Sequence, residues 1–145
     1  MKSLIYLFTF LFISLAVTAQ EVHLGTSKDK IDEFYIMSVK YNKKTNTVEV
    51  WDRIKPAEGQ LANYRKKVME LRKQEKASTE GFEKIGFYKR RIEYNCKNRT
   101  YRVMECVYYD LYGKILDSTD ADETTKWEKI PLSTIRDDEF KQVCK

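Results

Sequence analysis

The stretch Tyr94-Asn95-Cys96-Lys97-Asn98-Arg99-Thr100-Tyr101-Arg102 runs through an apolar segment into Tyr109-Asp110-Leu111-Tyr112-Gly113-Lys114-Ile115-Leu116. Further on come Trp127-Glu128-Lys129-Ile130-Pro131-Leu132-Ser133 and Cys144. Residues 101–110 place Tyr101, Val103, Val107 and Tyr109 at one parity and Met104, Cys106 and Tyr108 at the other. Apolar residues at both parities predict a central strand covered on both sides. Lys97-Asn98-Arg99 turns the chain before it. Gly113 permits a tight turn after it, leading to a further strand over 114–119. Thr134 is placed to cap a short terminal helix, with Asp137, Asp138 and Glu139 near its positive end.

Upstream, residues 87–96 alternate as another strand. Tyr88, Ile92, Tyr94 and Cys96 share one face; Lys89, Arg91, Glu93 and Asn95 share the other. Residues 34–41 and 47–54 are strand-like, and the polar turn 42–46 joins them as a hairpin. In the second of these strands Val48, Val50 and Ile54 lie opposite Glu49, Trp51 and Arg53. Trp51, on the polar side, is expected to be covered by the segment that follows. Pro56 ends the strand. Ala57, Leu61, Tyr64, Val68 and Leu71 then recur at helical spacing, which predicts an amphipathic helix over 57–76 lying on the sheet. The fold class is α+β: an antiparallel sheet of about five strands, one amphipathic helix after the second strand, and a short C-terminal helix tied by a disulfide.

The first 19 residues read as a signal peptide. Lys2 is followed by an apolar run of 14 residues, 4–17, and small residues end at Ala19. Cleavage there leaves 126 residues, one domain's worth. Residues 20–32, with the only histidine, His23, read as a flexible lead-in, and 33–145 as the domain. The expected location is exported, periplasmic or secreted, with no transmembrane segment after cleavage. Three cysteines remain, so three pairings are open. The residues favour Cys96–Cys144, because Cys106 sits mid-strand among apolar neighbours as a small hydrophobe.

The net charge of +5 is unevenly spread. Residues 65–102 hold 13 basic against five acidic side chains, whereas 103–145 hold six against ten. Lys66, Lys67, Arg72, Lys73, Lys76, Lys89, Arg90 and Arg91 form the candidate contact surface within the basic block. A single histidine excludes most histidine-based triads. There is no Gly-x-Ser-x-Gly, no phosphate-cradling glycine loop and no zinc spacing. The acidic run from Asp120 to Glu123 lacks the spacing and glycine of a calcium loop. No catalytic, cofactor or metal residue is therefore assigned, and an exported chain rarely meets nucleic acid.

Asn95-Cys96 before a strand, the Tyr109-Asp110-x-x-Gly113-Lys114-Ile115-Leu116 turn, Trp127-x-x-Ile130-Pro131-x-Ser133 and Cys144 together resemble the bacterial surface-adhesin protein E-like family. That resemblance implies an exported α+β domain with a Cys96–Cys144 bridge. It also implies an adhesin-like role of the kind its named member plays toward host matrix and serum proteins. Two features depart from the family: Cys106 is extra, and no lipid-attachment cysteine is present, which favours a soluble product over surface display. The expected function is non-enzymatic binding of an extracellular or envelope protein or glycan through the basic surface. The alternatives are an envelope assembly component acting by self-association, or a small hydrolase or inhibitor. The oligomeric state is not legible.

Overall fold

The computed structural model describes residues 20–120 and 125–145; the expected signal peptide and residues 121–124 of the acidic loop lie outside them. The strands are β1 (Val22–Thr26), β2 (Asp32–Asn42), β3 (Thr47–Pro56), β4 (Ile85–Asn95), β5 (Thr100–Asp110), β6 (Ile115–Asp120) and β7 (Glu128–Lys129). The helices are α1 (Leu61–Gln74) and α2 (Ile135–Val143). The strands form one antiparallel sheet in the order β1-β2-β3-β4-β5-β6. The two-residue β7 pairs with the start of β5, on the flank that β6 uses further along.

Both helices pack on the same face of the sheet, here the inner face. Under α2, Ile36, Val48, Val50, Ile92 and Tyr94 meet Ile130, Phe140 and Val143. Under α1, Ile54 and Ile85 meet Tyr64, Val68 and Phe82. Tyr64 is fully buried, and its hydroxyl donates to the Ile54 carbonyl at 3.1 Å, so its one polar group is satisfied. The Cys96–Cys144 bridge ties the end of α2 to the end of β4, and Cys106 is free. Thr134 caps α2 as its spacing predicts, accepting from the Asp137 amide at 3.2 Å.

Five expectations are corrected. The sheet has seven strands rather than about five. Residues 22–26 are not a loose lead-in: β1 pairs with β2, and Leu24 packs against the core. An edge strand of five residues has too few alternations to be seen in sequence. The helix is also shorter than 57–76. Residues 57–60 form a turn instead, with Gly59 at φ 72° and the Gln60 amide donating to the Ala57 carbonyl at 3.0 Å. At the other end Lys76 adopts a left-handed conformation, and the Ala77 amide closes back on the Arg72 carbonyl.

Within α1 the buried residues are Tyr64, Val68 and Arg72, and Leu71 is exposed. Arg72 takes the inward position because its guanidinium has partners there. It stacks on the Phe82 ring at 3.9 Å and donates to the Ser78 carbonyl and to Asp117, each at 2.6 Å. An arginine stem packs as hydrocarbon when its head is satisfied.

The two-faced reading of β5 fails for a local reason. Arg91 pairs with Glu105 but Ile92 with Val103, so Met104 is an extra residue, a bulge. Directly paired residues share a face. Tyr101 and Val103 before the bulge, and Cys106 and Tyr108 after it, therefore all point inward opposite Tyr94, Ile92, Arg90 and Tyr88. The inward parity changes at Met104 and the inner face does not, while beyond the bulge Val107, buried, and Tyr109 lie on the outer face.

Candidate functional site

The outer face of the sheet carries the residues of opposite parity, and no described helix covers it. Trp51 was expected to be covered by the next segment. That segment, α1, packs on the other side, so Trp51 is half-buried by its neighbours in the sheet alone. Met37, extra at the β2 bulge, lines a groove of about 330 Å³ together with Ser38, Trp51, Lys89 and Tyr109. Phe87 and Tyr109 stack with centroids 4.8 Å apart, and the Lys89 ammonium sits 5.3 Å from the Tyr109 centroid. Beside them Arg53 lies over Tyr35 at 5.3 Å, and Lys55 over the same ring at 4.9 Å. The Tyr35 hydroxyl donates to Glu33 at 2.7 Å and holds that carboxyl below its usual range. Rings with cations above them are attractive arrangements, and aromatic and arginine side chains are what interface centres are made of.

The inner face holds a second feature. Asp52 is fully buried and receives Arg90 through two hydrogen bonds, 3.1 and 2.5 Å. Arg136 of α2 stands 3.8 Å from the same carboxylate, 3.4 Å from Glu139, and donates to the Tyr94 hydroxyl at 3.0 Å. One Glu139 oxygen has no hydrogen-bond partner among the described residues. Beside this network a cleft of about 400 Å³ is lined by Val68, Leu71, Tyr88, Arg90, Val103 and Cys106.

Burial, and after it the negative Asp52 carboxylate, push Glu139 up to about 7, against the pull of Arg136 and Arg90. A raised carboxyl pKa favours the folded state below the unfolded value of about 4.3, and that contribution is lost as pH rises through about 7. Relative to the Glu139→Gln variant, the wild-type protein therefore loses stability between about pH 4.5 and pH 8. Urea unfolding of both proteins across that range reads it directly, and a pH-independent difference would show that Glu139 is not titrating there.

The eight basic candidates do not form one surface. Arg72 and Arg90 point inward to Asp117 and Asp52. Lys67 is engaged with Asp29 at 2.8 Å and with Asp32. Arg91 bridges Glu49 at 3.4 Å and Glu105 at 3.1 Å. Lys66, Lys73 and Lys76 are exposed on or just after α1, while Lys89 is across the sheet on the outer face. Sequence reasoning missed Asp52 and Arg136, and gave Glu139 only a place near the positive end of the terminal helix, whereas the structure buries it beside Arg136. A signal existed for the first: Asp52 continues the inward alternation Val48-Val50-Asp52-Ile54, and an acid at that position demands a buried cation.

Among the described residues no group of histidine, cysteine and acidic side chains is arranged to hold a metal, and no helix is long and apolar enough to cross a membrane. A disulfide-stapled antiparallel sheet with helices on one face and a ring-and-cation cluster on the other is the architecture of a small α+β domain. The chain belongs to the surface-adhesin protein E family, whose model matches residues 22–145. No curated protein and no solved structure matches it. The family is one of surface adhesins, which points to an exported, adhesin-like and non-enzymatic protein.

Proposed function

We propose that the chain beyond its leader is one exported binding domain, periplasmic or secreted, and that its outer sheet face contacts an extracellular or envelope macromolecule. The observation that carries this reading is the ring cluster around Lys89 on a sheet face that no described element covers. Tyr35, Trp51, Phe87 and Tyr109 gather, half-buried, on the side of the sheet that no described helix covers, where they also stabilise the sheet as cross-strand neighbours. Lys89, among the basic candidates, belongs to this face. Its charge is held by rings and is opposed by no carboxylate in ion-pair range among the described residues. The α1 lysines belong to a different surface.

The test is binding of the mature protein to a panel of immobilised extracellular-matrix proteins and envelope glycans. Trp51→Ala and Lys89→Ala are expected to weaken the strongest interaction on the order of tenfold, the effect of removing a central interface residue. Lys89→Ala should unfold near the wild-type midpoint, whereas Trp51→Ala loses a half-buried ring and its binding is read at temperatures where it remains folded. Unchanged binding in both variants, or a wild-type protein that binds nothing on the panel, overturns the reading.

A further inference from the structure

We propose that one end of the sheet is a binding site for a linear polyanionic polysaccharide, sulfated or uronic-acid-bearing, and that Lys43, Lys44, Lys97 and Lys129 are its contact residues. Lys43 and Lys44 form the β2–β3 turn, Lys97 the β4–β5 turn, and Lys129 lies on β7 opposite Thr100, at the same end of the sheet. All four are exposed, and the lysine ion pairs among the described residues involve other lysines.

The three segments are braced together. The Cys96 amide donates to the Asn46 carbonyl at 3.4 Å and joins the two turns. The Ile130 amide donates to the Arg99 carbonyl at 3.5 Å and joins the second turn to β7. The Cys96–Cys144 bridge anchors the second turn to the end of α2. Within the turns, the Asn42 side chain accepts from the Lys44 amide at 3.1 Å, and Asn95 accepts from the Asn98 amide at 2.9 Å. The lysines are thus presented on a fixed backbone, which lowers the ordering cost of binding.

Three nearby acids among the described residues are engaged. Asp137 is buried and held by Arg99 and Lys141, Glu93 is paired with Arg102, and Glu128 accepts from the Tyr101 hydroxyl at 3.0 Å. Glu128 keeps its negative charge, since a phenol hydrogen bond does not neutralise it, and one such carboxylate beside four lysines leaves the row positive.

Shape and composition select the ligand. With neighbouring strands about 4.8 Å apart, the two turns are centred about 10 Å apart, and β7 extends the row to about 17 Å. A compact anion meets one part of such a row; a linear chain of spaced negative groups meets all of it. A lipid surface fits less well. The turn tips Lys43-Lys44-Thr45-Asn46 and Lys97-Asn98-Arg99 carry no apolar side chain, and beside β7 only Trp127, under Arg102, and Leu132 are exposed among the described apolar residues, too few for stable attachment, which takes insertion as well as charge. The tips themselves carry no aromatic ring for a base to stack on; Tyr41 and Trp127 are exposed in the flanking residues, outside the tips. The row is apart from the ring cluster and stands whether or not the outer face binds anything.

The experiment is retention of the mature protein on immobilised dextran sulfate as salt is raised. One variant replaces Lys43, Lys44, Lys97 and Lys129 by serine. A charge-matched control replaces Lys66, Lys73, Lys76 and Lys84 by serine. Wild type is expected to bind at low salt and to weaken steeply as salt rises, as counterion release requires. The sheet-end variant should lose on the order of tenfold in affinity; the control should lose less than about twofold. Trp51→Ala should bind as wild type does, which separates this site from the outer face. Equal losses in the two lysine variants, no wild-type binding to the polymer, or binding only to vesicles rich in anionic lipid overturns the proposal.

Discussion

Replacing Arg90 by alanine lowers the unfolding free energy by about 3 kcal/mol, the low end of the cost of stranding a buried ion. Asp52 is 1% exposed, and Arg90 supplies both of its hydrogen bonds. Removing the arginine leaves a carboxylate in an apolar layer between Val50 and Ile54, where an unpaired charge is poorly tolerated. Arg136, 3.8 Å away, compensates only in part, since it is also held by Tyr94 and Glu139. The loss should appear as a fall in the urea midpoint on the order of 1–2 M with little change in slope. The double variant Asp52→Asn/Arg90→Ala should recover more than half of it, because the stranded charge is then gone. If the double variant is no more stable than the single one, the cost lies in lost packing and the charge argument fails. Replacing Lys89, the residue before Arg90, should leave the midpoint near wild type, since its side chain is on the opposite face.

Breaking the Cys96–Cys144 bridge is expected to cost about 4 kcal/mol in the chain-entropy account, because the residues it joins are 48 apart in sequence. For a domain of this size that corresponds to a fall in melting temperature on the order of 10–20 °C. Paired Cys96→Ser/Cys144→Ser replacement measures it under oxidising conditions, and wild type under reductant should give the same loss. The Cys106→Ser variant serves as the contrast. Cys106 is unbridged, and burial pushes its thiol pKa up, so its removal should leave the reductant-sensitive step intact. A reductant effect that survives in the paired variant would locate it elsewhere. The bridge also anchors the β4–β5 turn, so the paired variant should weaken dextran sulfate binding even at temperatures where the protein remains folded.

Most of the fold was legible because local chemistry and tertiary need agree along β2 to β6. Alternating apolar residues, turn asparagines, Gly113 and the Thr134 cap each act within a few positions in sequence. The exceptions share a cause. β1 and β7 are short edge pieces whose order comes from the strand beside them. The Met104 bulge reverses parity without altering composition, so a strand facing one core resembles a strand facing two. Arg72 replaces Leu71 inside because Ser78 and Asp117, from other elements, complete its hydrogen bonds.

The candidate sites were less legible for the same reason. A count of basic residues picks out 65–102, yet the structure divides that block between ion pairs and two sheet faces. The lysine row escaped notice because Lys43 and Lys44 come from a segment with no net charge, and Lys129 from an acidic one.

By itself the sequence determined the antiparallel α+β plan and the family resemblance, favoured the Cys96–Cys144 staple, and set the expectation of export. These rest on patterns read within a few residues, on cysteine positions, or on motif order. Tertiary structure alone decided which charges are buried and which free, which face keeps its rings bare, and which distant lysines become neighbours. Burial and charge pairing depend on strand order and register across the sheet, and no single segment of the chain carries that information.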